Sequence, residues 1–145
     1  MILLGMSIDD ARRRICFFDS RGLVVKERTN LNRQKQLYSH NRKEESSLVK
    51  VIESEKPTIL IGVSGQPNTF NESIIRQMAI VNDRPLIFAL SNPTSKSECT
   101  AEEAYSLTHG KAIFVSGSPF EPVSLDRVTF NPGQGNNAYI FPGLG

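Results

Sequence analysis

Cysteine is scarce and tryptophan is absent: the 145 residues hold two of the first and none of the second. Cys16 and Cys99 lie far apart, and so few thiols argue against a disulfide framework or a zinc site. Cys16 sits in an apolar run and reads as a buried thiol. Nothing here argues against a reducing compartment. Long hydrophobic runs are missing too. No stretch approaches the roughly 18 apolar residues of a spanning helix. Met1 to Leu4 is too short for a secretory h-region, and no cleavage pattern follows it. A strong charge of either sign is also lacking, since the net charge is +2. Residues 1–50 nevertheless carry 11 of the 17 Lys+Arg and only 6 of the 15 Asp+Glu. That basic third has neither interleaved exposed aromatics nor a nucleic-acid-binding signature, so no nucleic-acid partner is expected. Asp and Glu show no metal-site spacing. Glu98, Glu102 and Glu103 read as a helix start, where acids favour the dipole. His40, His109 and Tyr105 have no visible catalytic partner. Finally, no G-x-G-x-x-G precedes the apolar run at Ile15, so a pyrophosphate-binding turn is not expected in this chain.

What is present suits one domain over 1–145, with 39% hydrophobic residues to build its core. Ser7 with Asp10 is a capping signal for a short helix through Arg13. Ile15 to Phe18 reads as a strand buried on both faces, turned by Asp19 to Gly22; Leu23 to Val25 either extends it or returns as a hairpin. Asn30 to His40 is a loop or weak helix, and Ser46 to Glu55 a helix ending before Pro57. Thr58 to Val63 is a continuous apolar run of the kind found in central parallel strands. An amphipathic helix over Asn71 to Val81 follows, then a strand over Leu86 to Leu90. Thr100 and Glu103 form a capping box for a helix to about Thr108, closed by Gly110 at C′. Ala112 to Val115 is a further strand, and Val128 to Phe130 a short one. Alternation of strand and helix predicts an α/β fold: a Rossmann-like parallel sheet with helices on both faces, lacking the first strand and glycine-rich turn.

Ligands of such sheets bind at the carboxyl ends of the strands. Four ends carry small polar residues: Asp19 with Ser20, Val63 with Ser64 and Gly65, Ser91 with Asn92, and Ser116 to Ser118. Asp19 suits a ribose diol or simply initiates a turn. Ser20, Arg21 and Lys35 would favour a 2′-phosphate, or form a solvated face. The stretch Pro132 to Gly143, PGQGNNAYIFPG, sets the amides of Asn136 and Asn137 between two turn glycines and an apolar run. It reads equally as a loop for a small carboxylate or amide ligand and as a surface turn.

Three segments in order, FALSNPTSKSECTAEEAY (Phe88 to Tyr105), AIFVSGSPFEPV (Ala112 to Val123) and PGQGNNAYIFPG, closely resemble the carboxyl-terminal NAD(P)-binding domain of malic enzymes. Those enzymes oxidatively decarboxylate malate to pyruvate and CO2 with NAD or NADP. The resemblance runs from about Gly5 onward. It implies that Asn92 lies beside the nicotinamide and binds malate, and that Asn136 and Asn137 contact malate and the nicotinamide amide. Asp19 then faces the adenosine ribose, Ser20 and Lys35 stand where NADP-using members contact the 2′-phosphate, and Val63 and Ser64 pass under the dinucleotide. On that basis the cofactor leans to NADP. The loop from Gly65 to Thr69 is less glycine-rich than is usual in the family. The resemblance places the acid–base tyrosine and lysine, the malate-gripping arginine and the carboxylates for Mg2+ or Mn2+ upstream, so this chain is expected to hold no catalytic residue or metal ligand of its own. It further implies a homo-oligomeric intact enzyme, in cytosol or mitochondrial matrix. The competing reading is a catalytically inactive nucleotide-fold remnant or interaction module.

Overall fold

The computed structural model describes residues 5–135. It divides into two compact units, Met1–Val51 and Ile52–Gly145. In the first, Ser7 caps helix α1 (Ile8–Arg13) by accepting the Asp10 N–H at 3.1 Å. The run at Ile15 to Phe18 yields only a two-residue strand, β1 (Phe18–Asp19), paired antiparallel with β2 (Gly22–Leu23). The turn between them returns the chain at once, so the hairpin alternative holds, and Cys16, Phe17 and Phe18 are half-buried rather than covered on both faces. Gly22 is needed there: its φ is +103°, and a Cβ would stand 2.5 Å from the Glu45 carbonyl oxygen. Leu23, Val25 and Val51 form a small core with Cys16 and Phe18. Phe17 stacks on Tyr38 at 4.6 Å between centroids. Asn32 caps α2 (Arg33–Leu37), and α3 (Leu48–Glu55) straddles the division between the units.

The second unit runs β3 (Ile59–Gly62), α4 (Glu72–Val81), β4 (Leu86–Ala89), α5 (Ala101–Leu107), β5 (Ile113–Ser116), β6 (Val123–Leu125), β7 (Val128–Phe130) and β8 (Gly133–Gln134). Strands β3, β4, β5 and β8 form a parallel sheet in that order, and β6 and β7 form an antiparallel hairpin. Strands β3, β4 and β5 neighbour one another in sequence order, and parallel crossovers of the usual hand put both connecting helices on one face; α4 and α5 touch each other. Burial follows the register: Leu60, Ile87 and Phe114 are aligned and buried, as are Gly62, Ala89 and Ser116. Against them α4 sets Ile74, Ile75 and Met78, and α5 sets Ala101, Ala104 and Tyr105. Each large side chain so buried contributes about 1.5–3 kcal/mol. The opposite face keeps Ile59 and Ile61 of β3 exposed at 44% and 41%. The unbroken apolar run of β3 is therefore half-covered among the described residues.

Helix α5 opens on the expected capping box of Thr100 and Glu103. Its end differs from expectation. Thr108 is the C-cap and His109, at φ +52°, takes the left-handed C′ position. The N–H of His109 bonds Ser106 and that of Gly110 bonds Tyr105, at 3.3 and 2.8 Å, which is the Schellman pattern with Gly110 one residue further on. Gly110 answers to packing as well, since a Cβ there would meet the Phe130 ring at 2.5 Å. No helix among the described residues is long and apolar enough to cross a membrane.

Candidate functional site

The carboxyl ends of β3, β4 and β5 lie side by side, and each delivers a short polar loop. Gly117, just past β5, donates its N–H to the Ala89 carbonyl at 3.0 Å. A Cβ on it would stand 2.2 Å from the Leu90 carbonyl oxygen and 2.9 Å from Asn92 Nδ2, so only glycine lets the strand ends approach this closely. Asn92 follows β4 and is exposed, with a cis peptide to Pro93. Its amide is oriented from below: Ser118 Oγ donates to Oδ1 at 2.5 Å, and Nδ2 donates to the Leu90 carbonyl at 3.5 Å. An amide has two donors and two acceptor lone pairs, so donor and acceptor capacity remains for a ligand.

The loop after β3 is tied to the same edge. Val63 is 65% exposed, and the Gly65 N–H donates to Ser91 Oγ at 2.8 Å. Beneath lies Glu98, with no exposed surface. Its Oε1 accepts the Ser91 hydroxyl at 2.5 Å and the Ser64 N–H at 3.2 Å; Oε2 accepts the Ser91 N–H at 3.3 Å. The helix-start reading of Glu98 is thus corrected: it precedes the cap residue Thr100 and turns inward between the strand ends. Its sequence neighbourhood gave no sign of this, because the donors come from other loops. Tyr105 is a core residue, stacked on Phe130 at 4.8 Å.

Strand β8 reaches this edge as well. Ser116 Oγ donates to the Ser118 carbonyl at 2.7 Å, and the Ser116 carbonyl accepts the Gly135 N–H at 2.8 Å. Asn136 and Asn137 lie outside the described residues.

In the first unit, Asp19 is the centre of a second cluster. The Arg28 guanidinium spans both carboxylate oxygens at 3.0 and 2.9 Å, Lys35 Nζ bonds Oδ2, and the Arg21 N–H reaches Oδ1 at 3.0 Å. Burial pushes the Asp19 carboxyl upward, but the hydrogen bonds from Arg28 and Lys35 outweigh it and hold the group well below the usual carboxylate range. Arg28 is 7% exposed along its side chain and also donates to the Gly22 and Leu23 carbonyls. Sequence reasoning missed it; nothing in a polar stretch marks one arginine as buried. Ser20 is exposed in the turn. So the first unit joins Asp19 and Lys35, and the second joins Ser64 to the Ser91–Asn92 loop through Glu98. Two open hollows of about 430 and 560 Å³ in the first unit hold none of these predicted site residues.

A family model described as malic enzyme, NAD binding domain, matches residues 1–145. The chain belongs to the malic enzyme NAD-binding domain family. It is 51% identical over 141 residues to the NADP-dependent malic enzyme of Mus musculus, covering 97% of this chain and 25% of that protein. The NADP-dependent malic enzyme 3 of Arabidopsis thaliana is 53% identical over 142 residues, with 97% and 24% covered. The mitochondrial NADP-dependent malic enzyme of Homo sapiens is 52% identical over 141 residues, with 97% and 23% covered. The chain therefore spans about a quarter of the length of these relatives. Among the described residues, no group of three or more His, Cys, Asp or Glu is placed to hold a metal ion.

Proposed function

We propose that residues 1–145 form the dinucleotide-binding part of an NADP-dependent malic enzyme, converting malate to pyruvate and CO2. Its role is to position, not to move protons. The observation that carries this reading is the Asn92 amide, fixed by Ser118 and Leu90 at the shared edge of three parallel strands with its outer side open. Asn92 orients a malate carboxylate and the carboxamide of the nicotinamide without titrating. Exposed Val63 lies under the dinucleotide, and Ser64 lines the turn beside it. When bound, the nicotinamide accepts the hydride from malate C2. Asn136, immediately after the Gly135 bonded to Ser116, and Asn137 supply further amides to the same ligands. Held in this geometry, the reacting carbons approach without an entropic search.

The Asp19 cluster supports NADP over NAD. Arg28 and Lys35 both pair with one acid, so the cluster keeps one positive charge over. A 2′-phosphate gains from that charge, whereas a bare carboxylate would repel it. Ser20 adds a hydroxyl at the same turn. The test replaces the matching quarter of the mouse enzyme with these 145 residues and introduces Asn92→Ala. KM for malate rises at least tenfold with the melting temperature kept. Unchanged malate kinetics would remove Asn92 from the site.

A further inference from the structure

Among the described residues of the second unit, Glu98 is the fully buried acid that the function above does not use. Its surroundings are more specific than core packing demands. The carboxylate accepts from Ser64 N–H, Ser91 N–H and Ser91 Oγ, three donors on the loops after β3 and β4. Ser91 Oγ in turn accepts the Gly65 N–H, which extends the same network by one residue. The backbone repeats the tie: the Ser97 and Glu98 carbonyls accept the Asn68 and Phe70 N–H groups at 3.3 and 2.9 Å. The strand makes room for the side chain. At Gly62 a Cβ would meet Glu98 Cγ and Cδ, both at 2.5 Å, so β3 ends in a glycine where the carboxylate passes.

A buried carboxylate is costly to desolvate and is retained where its acceptor capacity is filled. Here the partners are the two loops that present Ser64 and Asn92. We propose that Glu98 is a positioning residue. It sets the spacing between the Ser64–Gly65 loop and the Ser91–Asn92 loop, and so fixes where the Asn92 amide meets malate and the nicotinamide. This inference rests on the reading of Asn92 as a ligand-binding residue. Glu98 touches no ligand itself and acts through Ser91, the residue before Asn92.

Three variants separate positioning from space-filling. Glu98→Gln keeps the volume but turns an N–H2 towards a backbone donor, either the Ser91 N–H or the Ser64 N–H. Glu98→Ala removes both oxygens. The pair Gly62→Ala with Glu98→Ala puts a methyl 2.5 Å from where Cγ and Cδ stood, refilling part of the space without restoring acceptors. In the 145-residue chain, hydrogen exchange at the Ser64 and Ser91 amides is expected to accelerate at least tenfold in Glu98→Ala and in the pair. In the mouse enzyme carrying this segment, malate KM is expected to rise at least tenfold in all three variants, while the pair regains part of the melting temperature lost by Glu98→Ala. Recovery of both stability and KM in the pair would reduce Glu98 to a filler and overturn the proposal. Unchanged amide exchange in Glu98→Ala overturns it whatever the kinetics. Asn92→Ala is measured in parallel. If that variant leaves KM unchanged while the amides do respond, the site assignment of Asn92 fails and the loop-spacing role of Glu98 stands.

Discussion

Replacing Gly117 by alanine isolates the closeness of the strand ends. The added Cβ would lie 2.2 Å from the Leu90 carbonyl oxygen and 2.7 Å from its carbon, and both are backbone atoms. Neither can swing aside like a side chain. Leu90 is held through its own N–H to the Gly62 carbonyl at 2.9 Å, and Gly117 through its N–H to Ala89 at 3.0 Å. The strand ends must part by about an ångström. Overpacking of this kind costs about 1–3 kcal/mol, and losing the Gly117–Ala89 hydrogen bond adds about 1 kcal/mol. The expected destabilisation is therefore about 2–4 kcal/mol, or roughly 6–12 °C in Tm for a chain of this size. The chain has no tryptophan, so urea unfolding is followed by far-UV circular dichroism. Gly65→Ala is the control. Its φ is +67° with no atom within 4 Å of the added Cβ. It pays only the left-handed backbone penalty, about 1 kcal/mol. If Gly117→Ala costs no more than Gly65→Ala, the close approach of β4 and β5 is not what that glycine serves.

Three further outcomes follow from the same structure. Asp19→Asn leaves buried Arg28 without its carboxylate and is expected to lower stability by about 3 kcal/mol at pH 7. Because the folded-state pKa of Asp19 is depressed, its contribution is complete above the unfolded value of about 4 and is lost as pH falls further, so the variant's stability curve is flatter below pH 4 in urea titrations; an unchanged acid limb would show the pairing to be inconsequential. Burial, with help from the charges of Glu103 and Glu98, pushes the Cys99 thiol up to about 12, leaving roughly one thiolate in ten thousand at pH 8. Native iodoacetamide labelling read by mass spectrometry should mark half-buried Cys16 and spare Cys99, and equal labelling would contradict the burial. Paired Ile59→Lys and Ile61→Lys, on the exposed sheet face, should reduce dye binding and aggregation of the 145-residue chain while keeping Tm within a few degrees; a collapse in Tm would mean that the face is covered.

Local signals were legible where neighbours in sequence decide the structure. Ser7 and Thr100 each cap the helix that the side-chain pattern announces, and Asn71, expected as the first residue of its helix, is its N-cap. The apolar runs at Thr58, Leu86 and Ala112 became β3, β4 and β5, because four to six β-formers between turn residues leave little choice. Long-range partners were not legible. Glu98 takes its meaning from Ser64, 34 residues earlier, and an acid near a capping box looks like dipole complement until that distance closes. Arg28 looked like any charged loop residue until Asp19 folded against it. The β6–β7 hairpin was half-read, since Asp126 and Arg127 occupy the left-handed region at φ +47° and +66° without the glycine that usually advertises such a turn.

The chemistry of the proposed site makes one last demand. The side chains proposed to meet the ligand there, Ser64 and Asn92, stay uncharged across the neutral range, because hydroxyls and amides do not titrate there. A site made of such groups orients its ligand equally well at pH 6 and pH 9. Any pH dependence of turnover must then come from other groups, those that exchange protons with malate or the cofactor's own phosphate, and not from these side chains. Asn92→Ala in the segment-bearing mouse enzyme should lower kcat/KM for malate by the same factor at every pH, shifting the profile down without moving its limbs. A displaced limb would mean that Asn92 tunes a titrating group, and the division between a positioning site and a proton-transfer apparatus elsewhere would have to be abandoned.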